Sequence, residues 1–159
     1  MLNRINKFFE FDPFGSSMKK SAGIIIILKG EKVLLCHPTR SKWFGTYSFP
    51  KGGVNEGESD VDGAIRELRE ETSVIIDKSR ITNLKTPIVV DYENKKGVKY
   101  KRLLLYTVYI NDVSEIGLES EVIDLEKLQV EEIDWAGFLT KTEAKVRIFH
   151  RVHHLLSLI

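Results

Sequence analysis

The stretch Phe49–Val74, FPKGGVNEGESDVDGAIRELREETSV, sets a glycine-rich loop directly ahead of a segment with helical periodicity. From Ser59 onward, Val61, Ala64, Ile65, Leu68 and Thr72 recur at the i, i+3, i+4 and i+7 spacing of one apolar helix face. Ser59 is a suitable N-cap, and Asp60 and Asp62 in the first turn complement the helix dipole. On a wheel of about 100° per residue with Glu67 at the origin, Glu70 lies near about −60° and Glu71 near about +40°. The apolar set is centred roughly 120° away, so Glu67, Glu70 and Glu71 share an exposed flank while the other side faces a sheet. Gly63 falls on the carboxylate side, where a side chain would block close approach. Glycine inside a helix costs about 1 kcal/mol relative to alanine, so a gain elsewhere is expected to offset it.

Such a flank has two readings. One is a solvated acidic face with Arg66 and Arg69 as partners. The other gathers the carboxylates around a positive charge. Like charges at i,i+4, as Glu67 and Glu71 are, cost roughly a few tenths of a kcal/mol. A hard divalent cation such as magnesium or manganese would turn that repulsion into coordination, because carboxylate oxygens and retained waters are what it accepts.

Around this segment the chain reads as one domain. Its 159 residues, 42% hydrophobic and 30% charged, can bury a core and do not have the composition of a disordered chain. A net charge of +1 predicts no broad nucleic-acid footprint, although the charges are uneven enough for a local basic patch. Cys36 is the only cysteine, which excludes an internal disulfide and a Cys-based zinc site. Its place after Lys32–Leu35 predicts a buried, inert thiol. The N-terminus lacks an apolar run of signal-peptide length, and Gly23–Leu28 is far too short to span a bilayer. A cytoplasmic protein without membrane contact is expected. Residues 1–17, punctuated by Pro13, Gly15, Ser16 and Ser17, read as an arm ahead of a domain spanning 18–159. Phe8, Phe9, Phe11 and Phe14 of that arm are expected to dock on the body or to offer a surface to a partner.

Strands at about 22–28 and 31–37 read as a hairpin, followed by a short strand in Thr46–Pro50 and the glycine loop. Ile81–Glu93 and Val98–Ile110 read as two more strands joined at Asn94–Gly97. Ser114–Glu132 is acidic and reads as loop with one short regular piece. Glu132–Phe138 is a last strand, and Thr140–Ile159 a C-terminal helix started by Thr140 or Thr142. Interleaved strands and helices predict one α/β or α+β domain with a mixed sheet.

The spacing Gly52, Glu58, Arg66, Glu67, Leu68, Glu70, Glu71 and Val74 resembles the Nudix signature, G-x5-E-x7-R-E-U-x-E-E-x-G-U with U a bulky aliphatic residue. Ser73 departs, standing where the signature has its last glycine; serine there would be strained by about 1 kcal/mol if its φ is positive. The resemblance extends over roughly residues 20–156 and implies a Nudix-like α/β/α sandwich. It also implies a hydrolase of nucleoside diphosphates linked to another group, dependent on Mg2+ or Mn2+. By position Glu70 and Glu71 would be metal ligands, and Glu67 a ligand or the base that activates water. Arg66 would orient the glutamates and Glu58 brace the loop. The carbonyl of Lys51, beside Gly52, would be a main-chain ligand. A further carboxylate from Glu119, Glu121, Glu126, Glu131 or Glu132 is expected to join them.

For substrate, Tyr47–Glu58 is similar to the version of the motif found in diadenosine tetraphosphate hydrolases and RNA 5′-end pyrophosphohydrolases, with Tyr47 in the place of a tryptophan. The side chains of Lys51, Arg40, Lys42 and Tyr47 are the substrate-binding candidates. Lys95, Lys96, Lys99, Lys101 and Arg102 would favour a long polyphosphate or a nucleic-acid 5′ end if they converge on the cleft. Trp43, Tyr100 and Tyr106 are candidates for stacking on a base. His150, His153 and His154 read as structural or surface residues. A dinucleoside polyphosphate is the first expected substrate, then 5′-triphosphorylated RNA, then a nucleoside triphosphate removed by a sanitising enzyme. A non-catalytic nucleotide sensor is the reading from another class. The oligomeric state stays open.

Overall fold

The computed structural model describes residues 9–11 and 17–159, with side chains from residue 18 onward. Its strands are β1 (Phe9–Phe11), β2 (Ser17–Leu28), β3 (Lys32–Pro38), β4 (Lys51–Gly53), β5 (Ile88–Glu93), β6 (Lys99–Ile110) and β7 (Ile133–Thr140). The helices are α1 (Asp60–Thr72) and α2 (Lys141–Arg147), followed by a 3₁₀ segment, His150–Ser157. One seven-stranded sheet runs β5-β6-β2-β3-β7, and both β1 and β4 add to β2. It is mixed because β2 and β6 are parallel, in register from Lys19↔Lys101 to Leu28↔Ile110. Among the described residues no helix is long and apolar enough to cross a membrane.

The isoleucine run explains the sandwich. Strand side chains alternate between faces, and both faces of β2 are covered, so no polar residue interrupts Ile24–Ile27. Ile24 and Ile26 enter a first core with Ala64 and Leu68 of α1. Ile25 and Ile27 enter a second with Ala144, Ile148, Val152 and Leu155. Helical elements therefore lie on both sides of the sheet.

Several elements differ from expectation. The hairpin pairing of β2 with β3 is confined to Ile27↔Val33 and Leu28↔Lys32. Beyond it the strands part: β3 follows β7, while β4 takes the vacated edge of β2 through Ser21↔Gly53 and Gly23↔Lys51. Thus Gly52 and Gly53 form a strand rather than a loop. Thr46–Pro50 contributes only bridges, Cys36↔Ser48 and Tyr47↔Ile148. The second bridge divides the C-terminal helix. Thr140 caps α2 with Glu143 in a capping box, yet at Ile148 the backbone is extended. Arg147 O accepts from the N–H groups of Thr46 and Tyr47, and Phe149 N–H donates to Tyr47 O. These sheet-like bonds replace those a continued helix would have made.

The strand expected from Ile81 begins only at Ile88, with Ile81 bridging Val108 alone. The Asn94–Gly97 turn forms as expected, with Gly97 at φ 77°. The acidic stretch carries two 3₁₀ turns, Val113–Ile116 and Leu125–Lys127, instead of one regular piece. Its Ile116, Leu118, Ile123 and Leu128 close the first core. Ser73 caps α1 at φ 64°, so the strained conformation is real. Its hydroxyl donates to Lys127 O at 2.6 Å, a bond a glycine would lack. Cys36 is buried, as expected. Within the expected arm, the backbone of β1 pairs with β2 from Phe9↔Lys19 to Phe11↔Ser17; Phe8, Phe14 and the docking of the phenylalanine side chains lie outside what is described.

Candidate active site

Helix α1 packs its apolar face on β2 and turns its carboxylate flank toward β4, which lies close by because it is hydrogen-bonded to β2. Ser59 accepts from Asp62 N–H as the N-cap. Arg66 organises the flank. Its Nε and Nη2 grip Glu58 at 2.9 and 3.1 Å, and Nη2 also donates to Gly53 O at 2.8 Å. Nη1 donates to Glu67 and Glu70, each at 3.0 Å. Every N–H of the guanidinium thus has an acceptor. Glu58 accepts in turn from Asn55 N–H at 3.0 Å and so ties the loop before α1 to the helix.

Two glycines set how closely the parts meet. A Cβ on Gly52 would stand 2.1 Å from Cδ of Glu67, so only glycine lets that carboxyl lie on β4. At Gly63 a Cβ would stand 3.0 Å from Glu58 Oε1. The helix glycine permits the approach of Glu58.

Glu71 is buried, and its Oε1 accepts from Lys51 N–H at 2.8 Å. Burial pushes its carboxyl up to about 8, against the pull of that bond, with Glu67 adding to the rise. Burial also raises Glu67, although Arg66 opposes it. For Glu58 burial is the largest single influence and acts upward, but the bonds from Arg66 and Asn55 N–H together with the Arg66 charge hold its carboxyl below the ordinary value. A cleft opens beside Glu71, lined by Cys36, Pro38, Ser48, Phe49, Lys51, Glu132 and Ile133. Glu132 is the late glutamate that reaches it, and its charge bears on both Glu67 and Glu71. Glu121 pairs with Lys32 at 2.6 Å and, with Glu119, lines a separate pocket near Leu28. Glu126 and Glu131 are exposed.

The donor chemistry suits a divalent cation: hard carboxylate oxygens on one flank, with Glu71 held at the edge of ionisation by burial. Among the described residues no set of three carboxylates, histidines or cysteines already converges on one point, since Glu67 and Glu70 are both turned toward Arg66. Oxygens left free by Arg66 would supply the ligands.

The cationic candidates divide. Lys51 and Lys101 meet, and Lys101 Nζ sits 4.9 Å from the centre of the Tyr92 ring. Burial, then the charges of Lys51 and Lys19, push the Lys101 ammonium down to about 7. Among the described residues the Tyr92 hydroxyl is buried without a hydrogen-bond partner. Lys99 and Arg102 are instead held by Asp91, and Lys95 and Lys96 are exposed at the turn. Arg40 and Lys42 are exposed on the loop between β3 and Tyr47. Tyr47 itself is buried in the second core, its hydroxyl 3.4 Å from Nη1 of Arg147. Tyr106 is buried, whereas Tyr100 and Trp43 are exposed. His150, His153 and His154 are exposed on the last 3₁₀ segment. Sequence reasoning passed over His37, Asp134, Tyr92 and Arg147. The register of β3 on β7, which sets His37 opposite Trp135, carries no local signal.

The model of the NUDIX domain matches residues 18–151, and the chain belongs to the Nudix family. Nudix hydrolase 2 of Arabidopsis thaliana is 36% identical over 64 residues, covering 39% of this chain and 23% of that protein. An RNA pyrophosphohydrolase of Erythrobacter litoralis is 31% identical over 75 residues, covering 47% and 45%. The chain thus matches less than half the length of either relative. Among solved structures, a C. elegans Ap4A hydrolase in a binary complex superposes with a TM-score of 0.60 at 24% identity, over 87% of this chain and 92% of that one. At that identity the likeness speaks for the fold. Divalent cations are in general use in the family.

Proposed function

We propose that this chain is a Mg2+- or Mn2+-dependent pyrophosphohydrolase whose substrate is a dinucleoside polyphosphate such as diadenosine tetraphosphate. The observation that carries this reading is the placement of opposite chemistries on β4. On one side Lys51 N–H holds Glu71 among the carboxylates; on the other the Lys51 ammonium meets Lys101. Among the described residues neither ammonium has a carboxylate partner within ion-pair distance. A phosphate beside them would restore the charge of Lys101, whose ammonium is pushed down to about 7, so the pair favours a chain of phosphates longer than the bond being cut.

In this reading Glu70, Glu71 and the carbonyl of Lys51 beside Gly52 hold the cation, and Glu132 is the late carboxylate near it. The cation neutralises charge on the pyrophosphate oxygens. Glu67 is a further ligand or takes a proton from the attacking water, a role served by the rise in its carboxyl. Water bonds to phosphorus, and the bridging oxygen departs with its phosphate. Arg66 orients the carboxylates, Glu58 braces the loop, and Lys51 and Lys101 take the remaining phosphates.

The 5′ end of triphosphorylated RNA is the second reading, favoured by the RNA pyrophosphohydrolase relative. The test is product analysis with Mg2+ or Mn2+ on diadenosine tetraphosphate, 5′-triphosphorylated RNA, nucleoside triphosphates and a nucleotide sugar. Cleavage of the first is expected, with Glu70→Gln lowering kcat by about 10²-fold or more. Preferred cleavage of a nucleoside triphosphate would instead assign a sanitising enzyme. Nucleotide binding without turnover of any substrate would leave a sensor.

A further inference from the structure

The loop between Pro38 and Ser48 carries two large aromatic residues on its surface: Trp43 is 51% exposed and Phe44 65%. An exposed tryptophan is ordinarily mobile, but this one is fixed from below. Its indole lies flat on the His37 ring, with centroids 4.0 Å apart and planes 4° from parallel. His37 is itself buried and cannot turn. Nε2–H donates to the carbonyls of Ser41 and Lys42 at 3.1 and 3.0 Å, and Nδ1 meets Asp134 Oδ1 at 2.5 Å. The loop is also tied near its start, where Thr39 N–H donates to Glu132 O at 2.9 Å and Thr39 Oγ1 to Val130 O at 2.7 Å. Near its end the Thr46 hydroxyl donates to Lys42 O.

One indole face is therefore covered and held, and the other is open. Beside it the Arg147 guanidinium lies 5.8 Å from the centre of the Phe44 ring, with no carboxylate in ion-pair range among the described residues. Exposed Lys42 and Arg40 add positive charge on the same loop. Pro38 and Ser48, at the two ends of the loop, line the cleft that holds Glu71, Glu132 and Lys51. A rigid aromatic plane with cations around it, on a loop whose two ends line the candidate cleft, is complementary to a planar base carrying phosphate.

We propose that Trp43 is the stacking platform for a nucleobase of the substrate, with Phe44 and Arg147 as its flank and His37 as the positioning residue beneath it. This assignment rests on the nucleotide-hydrolase reading above for the identity of the substrate, but not for the binding of the base. Because the ring is already immobilised, stacking costs little ordering of the protein, so the platform contributes to affinity and not to the chemical step.

The chain has two tryptophans, so Trp135→Phe leaves Trp43 as the sole indole reporter. Fluorescence titration of that variant would use ATP, a short 5′-triphosphorylated RNA, and inorganic tripolyphosphate as the base-free control. Saturable quenching by ATP or by the RNA, and none by tripolyphosphate, is expected; which of the two quenches identifies the source of the base. Trp43→Leu should raise KM roughly tenfold with kcat nearly unchanged, and Trp43→Phe should recover most of the loss. If turnover is absent, the same comparison is made on Kd by calorimetry. Equal quenching by tripolyphosphate, no quenching by either nucleotide, or an unchanged KM or Kd in Trp43→Leu would overturn the platform. Turnover with an indifferent Trp43 sinks the platform and leaves the hydrolase, whereas base-dependent quenching without turnover does the reverse.

Discussion

Glycine 52 shows how little space separates fold from chemistry. A methyl group there would fall 2.1 Å from Glu67 Cδ, but the atom it meets is the free end of a side chain and can move aside. Gly52→Ala is therefore expected to fold with a melting temperature close to the parent's. Displacing Glu67 by about 1 Å is expected to lower kcat on the order of 10²-fold. Thermal denaturation and steady-state kinetics on one preparation check both halves. A large fall in melting temperature would show that the strand, and not the carboxylate, needs the glycine. The motif glycine was legible in the sequence; its purpose was not, because a close approach depends on a partner strand rather than on a backbone angle. Ser73 is the reverse case. Its place at the helix exit raised the question of a positive φ, and the structure answers it with φ 64° and adds the bond to Lys127 O that accompanies it.

At the scale of elements, the β5–β6 hairpin is held by a cross-strand pair. Asp91 receives Nε and Nη2 of Arg102 at 2.8 and 3.2 Å, with Lys99 at 3.2 Å. The bonds from Arg102, then from Lys99, hold its carboxyl below the ordinary value of 3.8, against a smaller effect of burial. The folded state thus releases this proton more readily than the unfolded chain does. Its contribution is fully present above the unfolded value and is lost as pH falls through the folded one. Arg102 and Lys99 are partly exposed, so screening limits the gain. Asp91→Asn is expected to cost about 1 kcal/mol at neutral pH. As pH falls through the depressed folded value of Asp91 the variant and parent should converge. Urea denaturation across that range checks it; a difference that persists in acid would point to packing. The hairpin and its turn were readable from alternation and from Asn94–Gly97. The early end of α2 was not, because the residues after Arg147 keep a helical pattern and only Tyr47, far away in sequence, offers the competing bonds.

For the whole molecule, the sandwich depends on its last residues. Val152, Leu155 and Leu156 are buried in the second core, and each contributes roughly 1.5–3 kcal/mol by burial. Against a typical domain stability of about 5–15 kcal/mol, removal of residues 150–159 is expected to abolish cooperative unfolding. Circular dichroism melting checks this, and a sharp transition in the shortened chain would show that the first core suffices alone. The loss would reach the candidate active site, because Phe149 N–H bonds Tyr47 O two residues before the cleft-lining Phe49.

By itself the sequence determined what neighbours along the chain decide. That includes α1 with its cap and apolar face, the acidic side of that helix, the hairpin turns, and the family to which the signature points; the expected exposure of Glu71 beside Glu67 and Glu70 does not hold, because β4 covers it and Lys51 N–H holds its carboxyl. These are properties of period and spacing within a few turns of backbone. Only the tertiary structure decided what depends on register between distant strands: that Gly52 belongs to β4, that Glu132 is the late carboxylate at the cleft, that Lys101 and not Lys99 meets Lys51, and that His37 lies beneath Trp43. Such partners are chosen by how the sheet is ordered and twisted, and no local pattern encodes which of several equivalent charges will arrive.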